Sequence, residues 1–424
     1  MKKIITVLAA AGLTVALSAC QSLLPPADSS SHIRNITAVT EVFGDGQKIT
    51  AAIVQYDTPI DGASLSANDY NVAGRTVTHV YASDTTDKAG QPKNNGEYVV
   101  IELSPADEDA VAFGREGRDI IRRKPELSVM QKGAVTTVRG RTLAAGDHAI
   151  RSSQVINRIV DDFRQSDFTD PQTGITVKYN LFVPKDYNPQ KTYPLVLFLH
   201  DAGVNGSDTQ TALQQGLGAV VWASPEEQEK HSAFVLAPQF DYSAANDQLQ
   251  TALIPAATAN LIKHLETEYR INPARRYVTG QSDGAMLAMA MNIKYPDLFA
   301  ASYLVAGKWD AALVMPPLDH KMWITVAESD EKAHSGMSAV TANLENHGAK
   351  VARATWSGFA TPVELDAAAK AMHAQDADIR YVALQQGAAA PEDQNGDSYA
   401  NHMNTWRIAY GIANIRDWLF EQYK

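Results

Sequence analysis

The segment "RRYVTGQSDGAMLAMA", residues 275–290, places the tightest constraint on how this chain can fold. Its first part is β-branched and aromatic, as in a buried strand; after Gly280 the residues become small and apolar at helical spacing. Between the two stands Ser282, flanked by Gly280 and Gly284 in the pattern Gly-x-Ser-x-Gly. A strand that turns directly into a helix has no room for side chains two residues before and after the corner, so glycine at both positions answers a steric demand. The serine then projects from the C-terminal edge of a parallel sheet and stands at a helix N-terminus, where backbone N–H groups stabilise negative charge. Ala285 allows the helix to pack closely against the sheet.

From about residue 158 onward, strand and helix patterns alternate. "YPLVLFLH" and "AFVLAP" are continuous apolar runs of the kind found in strands buried on both faces. "ATANLIKHLETEYR" has helical spacing and meets Asn272 and Pro273, which are expected to stop it. The strands "FAASYLVAG", "MWITVAES", "VARATW" and "IRYVALQQ" follow, with the helices "SGMSAVTANLENHGA", "VELDAAAKAMHAQ" and "TWRIAYGIANIRDWLFEQ" among them. The fold class expected is α/β, a doubly wound, mostly parallel sheet over residues 158–424. Residues 33–155 differ: "NITAVTEVF", "KITAAIVQY", "RTVTHVYAS" and "GEYVVIEL" alternate apolar with polar between turn signals, predicting a small antiparallel sandwich.

The N-terminus reads as a secretory signal over residues 1–20. Lys2 and Lys3 precede a short apolar run that ends on Leu17, Ser18, Ala19 and Cys20, similar to a bacterial lipoprotein box. Cys20 is the only cysteine, so no intrachain disulfide can form, and a lipid anchor explains it. The Pro- and Ser-rich stretch 21–32 reads as a tether. The expected location is the bacterial cell envelope, at the outer membrane if the cell is Gram-negative, because Gln21 rather than aspartate follows Cys20. The formal net charge of −11 comes without a basic stripe, which excludes nucleic acid as an expected partner. No ligand cluster or phosphate-cradling loop is visible, so neither metal nor organic cofactor is expected. "DQNGD" has incomplete calcium-loop spacing and reads as a polar turn.

A serine hydroxyl is a weak nucleophile and needs a base and an orienting acid. After Ser282 the candidate bases are His320, His334, His347, His373 and His402. His402, in the stretch expected to lead into the last helix, is preferred, with His334 next. Asp330, at the end of the strand "MWITVAESD", is the preferred acid; Glu328 and Asp397 are rivals, and an N-cap is the alternative role for Asp330. Oxyanion stabilisation is assigned to the backbone N–H of Asp283 and that of Asp201 or Ala202, in the loop "HDAGVNGSD". His200 is expected to support that loop. Trp222, Trp309 and Trp356 are candidates for the pocket wall or the core.

The stretches "VKYNLFVPKDYNPQKTYPLVLFLHDAG", "FVLAPQ", "GQSDGA" and "NHMNTWRIAYGIANIRDWLFEQ" resemble the α/β-hydrolase esterases related to polyhydroxybutyrate depolymerases, feruloyl esterases and prolyl-oligopeptidase-like hydrolases. The variant with an N-terminal immunoglobulin-like domain, the EstA type, is most similar. The resemblance implies a serine carboxylesterase with Ser282, Asp330 and His402 as its triad, acting on a small-molecule or polymer-linked ester. A prolyl-oligopeptidase-like peptidase and an inactive surface-binding lipoprotein are the alternatives. Two departures stand out: Asp201 where the family has glycine after the histidine, and Ala285 where it has a further glycine. The carboxylates of Asp201 and Asp283 are expected to face solvent or a basic partner, since either one aimed at the oxyanion would oppose the reaction.

Overall fold

The computed structural model describes residues 32–88, 92–243, 253–314 and 320–424. The signal segment, Cys20 and all of the tether except His32 lie outside these. His32 belongs to the fold, its Nδ1 standing 3.0 Å from the Asp57 carboxylate.

The N-terminal part is a β-sandwich. Ile33–Phe43 and Gly46–Asp61 form a long hairpin, and Asn95–Leu103 and Val77–Ser83 extend the sheet beyond it. A three-stranded sheet of Tyr70–Val72, Ser128–Gln131 and Ile150–Arg151 covers the face that presents Ile36, Val54, Tyr56, Val99 and Ile101. The sandwich is not wholly antiparallel as expected. Gln154–Asn157 runs parallel to Ile33–Phe43, because the chain crosses the whole domain before it returns, and parallel neighbours require such a long crossover. A second hairpin, Val111–Glu116 with Asp119–Arg122, turns at Gly117-Arg118.

The second part is built on a nine-stranded sheet. Its strands are β1 (Arg164–Thr169), β2 (Thr176–Phe182), β3 (Tyr193–Leu199), β4 (Phe234–Gln239), β5 (Ile271–Gln281), β6 (Ala301–Val305), β7 (Lys321–Ala327), β8 (Val351–Trp356) and β9 (Ile379–Leu384). Their order is β1-β2-β4-β3-β5-β6-β7-β9-β8. β1 and β2 pair antiparallel at one edge, β2 pairs antiparallel with β4, and the other neighbours are parallel. This is the α/β-hydrolase architecture preceded by an immunoglobulin-like sandwich. Leu195, Val196, Leu197 and Phe198 on β3 have no exposed surface, which is why that strand reads as an unbroken apolar run.

Helices cover both faces. Ile254–Glu268 buries Ala257, Thr258, Leu261, Ile262 and Leu265 along one stripe, and Glu331–Asn346 buries Ala333, Met337, Val340, Thr341 and Leu344. Two boundaries differ from the sequence reading. Asn272 and Pro273 lie inside the start of β5, where the ladder with β3 is irregular between Tyr193 and Leu195 and so tolerates a proline. The expected final helix is two, Ser398–Ala409 and Ala413–Phe420. Between them Gly411 and the extended Ile412 redirect the chain, so that Trp418, Leu419 and Phe420 enter the core.

Candidate active site

Sheet register gathers the chemistry at one edge. Leu199 on β3 lies opposite Gly280 on β5, Gln281 lies opposite Val305 on β6, and Val305 opposite Thr325 on β7. The residues that emerge just beyond these pairs, His200 to Ala202, Ser282, Ala306 and Asp330, therefore come out of the sheet side by side. This is the C-terminal edge of the parallel strands, where ligands bind in open α/β sheets.

Ser282 sits at the corner with φ 54° and ψ −119°, a conformation that disfavours any side chain. The corner is held from below by Ser282 N–H donating to Val305 O at 2.9 Å. Its two glycines are required by contact. A Cβ on Gly280 would lie 2.5 Å from the Gly284 carbonyl, and one on Gly284 would lie 2.0 Å from Leu199 O. Ala306, also at the edge, is a second non-glycine residue with positive φ, 50°.

Of the candidate histidines, His402 reaches the serine: its Nε2 is 2.9 Å from Ser282 Oγ, and its Nδ1 is 2.5 Å from Asp330 Oδ2. His402 stands in the helix Ser398–Ala409 rather than in a loop before it, and its ring meets that of Trp406 edge-on at 5.1 Å. Asp330 makes the contacts that both roles considered for it would need. One oxygen receives His402, while the other caps the helix Glu331–Asn346 through Ala333 N–H at 3.4 Å. The other histidines are engaged elsewhere: His320 is buried against Ser302 Oγ at 2.9 Å, His334 faces the Tyr381 ring, His347 bonds Asn343 O, and His373 bonds Glu421. The rival acids are also occupied. Glu328 accepts from Gln386 N–H, and Asp397 caps the helix that carries His402.

Of the two residues considered for the second backbone donor, Ala202 lines the cleft above Ser282. His200 is buried; its Nε2 accepts from Phe240 N–H at 3.0 Å, so its proton lies on Nδ1 and donates to Asp201 O at 2.9 Å. Burial holds the His200 pKa below the ordinary histidine value, and the ring is a neutral brace for the loop, as expected.

Asp201 meets a basic partner: Arg115 of the β-sandwich stands 2.8 Å from its Oδ1. Asp283 is turned from solvent, only 4% exposed, and accepts from Ser243 Oγ at 2.9 Å.

A cleft of about 660 Å3 opens over Ser282, within the usual size for a small-molecule site. Sequence reasoning missed much of its rim: Arg118, Lys308, Lys332 and Tyr399 line it. Arg118 comes from the turn of the sandwich's Val111–Arg122 hairpin and stacks on Tyr399, 4.9 Å from the ring centre. The signal was present, because Gly117-Arg118 separates "VAFGRE" from "DIIR" in the manner of a two-residue hairpin loop. Trp222, Trp309 and Trp356 are buried and do not line the cleft.

For a metal, Glu227, His231 and Asp417 are the one grouping among the described residues whose donor atoms lie within 4.8 Å of one another. Arg416 Nε, 2.6 Å from Glu227, already supplies the positive charge there, and none of the three lines the cleft.

Residues 35–144 match the esterase immunoglobulin-like N-terminal domain, and residues 171–388 match the Esterase family. A solved structure described as a thermostable esterase is 29% identical, with a TM-score of 0.78, covering 92% of this chain and 100% of that one. The "Probable acetylxylan esterase A" of Aspergillus clavatus is 28% identical over 142 residues, 32% of this chain and 43% of that protein. Acetylxylan esterase A of Talaromyces purpureogenus is 33% identical over 87 residues, 19% of this chain and 23% of that protein. The chain thus matches less than half the length of these curated relatives.

Proposed function

Because this chain belongs to the Esterase family, we propose that it is a serine carboxylesterase in which Ser282, His402 and Asp330 form the catalytic triad. The observation that carries this reading is the unbroken chain of contacts from Ser282 Oγ to His402 at 2.9 Å and on to Asp330 at 2.5 Å, at the floor of an open cleft. With Nδ1–H donated to Asp330, His402 presents an unprotonated Nε2 to the serine hydroxyl. Ser282 Oγ attacks the ester carbonyl carbon while His402 takes its proton. The resulting oxyanion is held by the backbone N–H groups of Asp283 and Ala202. His402 then protonates the departing alcohol, leaving an acyl-serine. Water, activated by the same histidine, releases the acid and restores Ser282.

An acetyl ester on a polyhydroxylated alcohol is the substrate we favour. The relatives named above supply the acyl group, and Arg118 on Tyr399 offers hydrogen-bond donors beside an aromatic face at the rim, suited to a sugar. Hydrolysis of p-nitrophenyl acetate, butyrate and octanoate by a form starting at residue 21, beside Ser282→Ala, tests the reaction. Turnover that falls with chain length and vanishes in the variant is expected; turnover that persists without the serine would overturn the assignment.

We further propose that the protein is extracytoplasmic and held to the membrane by lipidation of Cys20. The supporting observation is the single cysteine after "LSA" behind an apolar run. Metabolic labelling with palmitate should mark the full-length protein and not Cys20→Ser.

A further inference from the structure

The family resemblance raised a problem that the fold answers from the other domain. Asp201 puts a carboxylate in the loop that carries the second oxyanion donor, and only 5% of its side chain is exposed. A buried unpaired charge beside a developing oxyanion would both destabilise the loop and oppose the transition state.

Each of its oxygens is accounted for. Oδ1 accepts from Arg115 Nη2 and from Gly203 N–H, both at 2.8 Å, and Oδ2 accepts from Gln281 Nε2 at 3.0 Å. The Arg115 side chain is itself only 10% exposed. A Cβ on Gly203 would fall 2.3 Å from Arg115 Nη1, so the turn is bare at the place where the guanidinium enters it. Gln281 precedes the nucleophile in sequence, and Ala202 follows Asp201. One carboxylate therefore ties the β-sandwich to both sides of the oxyanion site. The hairpin that delivers Arg115 is fixed further along by Arg122, which bonds Asp208 at 2.7 Å and Thr211 Oγ1 at 2.8 Å.

We propose that Arg115 is a positioning residue for the oxyanion loop: it neutralises Asp201 across the domain boundary and holds Ala202 where its N–H meets the oxyanion. Arg115 touches no reacting atom and acts through Asp201. The two residues form one unit, in which losing the arginine alone is worse than losing both charges. This inference rests on the esterase reading above.

Steady-state kinetics on p-nitrophenyl acetate test it with Arg115→Ala, Arg115→Lys, Asp201→Gly and the double variant Arg115→Ala/Asp201→Gly, each assayed well below its melting temperature. Arg115→Ala should lower kcat by about 10- to 100-fold, the scale of a misplaced catalytic group, with KM within about twofold. The double variant should recover most of the lost kcat, because the uncompensated carboxylate is gone, and Arg115→Lys should lie between. If Arg115→Ala does not fold, Arg115→Lys decides: its kcat should fall below those of the parent and of the double variant with KM little changed, and a kcat equal to the parent's would overturn the proposal. Unchanged kcat in Arg115→Ala, a loss confined to KM, or a double variant no better than Arg115→Ala would each overturn the proposal. An inactive parent protein would instead sink the esterase reading.

Discussion

The backbone at Ser282 makes a prediction that separates strain from chemistry. With φ 54° and ψ −119°, the residue occupies a region open to glycine and costly to anything with a Cβ, on the order of 1–3 kcal/mol. Ser282→Ala and Ser282→Gly both remove the hydroxyl and its bond to His402, so the difference between the two reports the backbone alone. Glycine releases the strain but adds freedom to the unfolded chain, which costs about 0.5–1 kcal/mol. The balance favours Ser282→Gly over Ser282→Ala by about 0.5–2 kcal/mol. Urea unfolding reads it as a higher midpoint at equal slope. Both variants should lack esterase turnover. A glycine variant no more stable than the alanine variant would refute the claim that the nucleophile is presented by a strained turn.

Asp330→Asn leaves the helix cap an acceptor but cannot hold His402 as a carboxylate does; kcat should fall about 10^3- to 10^4-fold with KM little changed, as judged by initial rates on p-nitrophenyl acetate. Gly284→Ala sets a Cβ 2.0 Å from Leu199 O, backbone against backbone, and should cost about 3 kcal/mol, seen as a lower urea midpoint together with lost activity. His320 has its pKa pushed down to about 4, first by burial and then by the charge of Lys424. Its unfolded value is about 6.5, so the unfolded chain takes the proton first. The stability it gives is complete above that pH and is lost as pH falls toward 4, in total about 3 kcal/mol. Unfolding midpoints between pH 7.5 and pH 4.5 should therefore drop less in His320→Gln than in the parent.

What could be read from the sequence was what is local. The Gly280-x-Ser282-x-Gly284 corner is a steric demand satisfied within a few residues, and both glycines are pinned by backbone contacts that the motif implies. The apolar run of β3 and the stripes on Ile254–Glu268 and Glu331–Asn346 are likewise visible because burial follows their own periodicity. Choosing Asp330 required only that strand ends share one edge, which parallel register guarantees, whereas His402 was chosen for its place ahead of the last helix and stands within the helix Ser398–Ala409. The break at Gly411-Ile412 was not legible, since a glycine within an apolar pattern does not say whether the core lies straight ahead or around a corner. Nor was the fate of the Asp283 side chain, which depends on Ser243, 40 residues away.

Asp201 shows why the remainder needed three dimensions. Taken within its own loop, it is a departure that would oppose an oxyanion held there. Its partner Arg115 lies 86 residues earlier, in a hairpin that the sequence pattern had left unassigned. A charge in a catalytic loop cannot be judged from that loop, because its cost is set by whatever packs against it. Here that neighbour belongs to a different domain, so the β-sandwich contributes to the site twice, through Arg118 in the cleft wall and through Arg115 against Asp201. Truncating the chain to the α/β domain would expose the Asp201 carboxylate and remove its counter-charge in a single step. The fold predicts that such a fragment loses turnover even where its nine-stranded sheet persists.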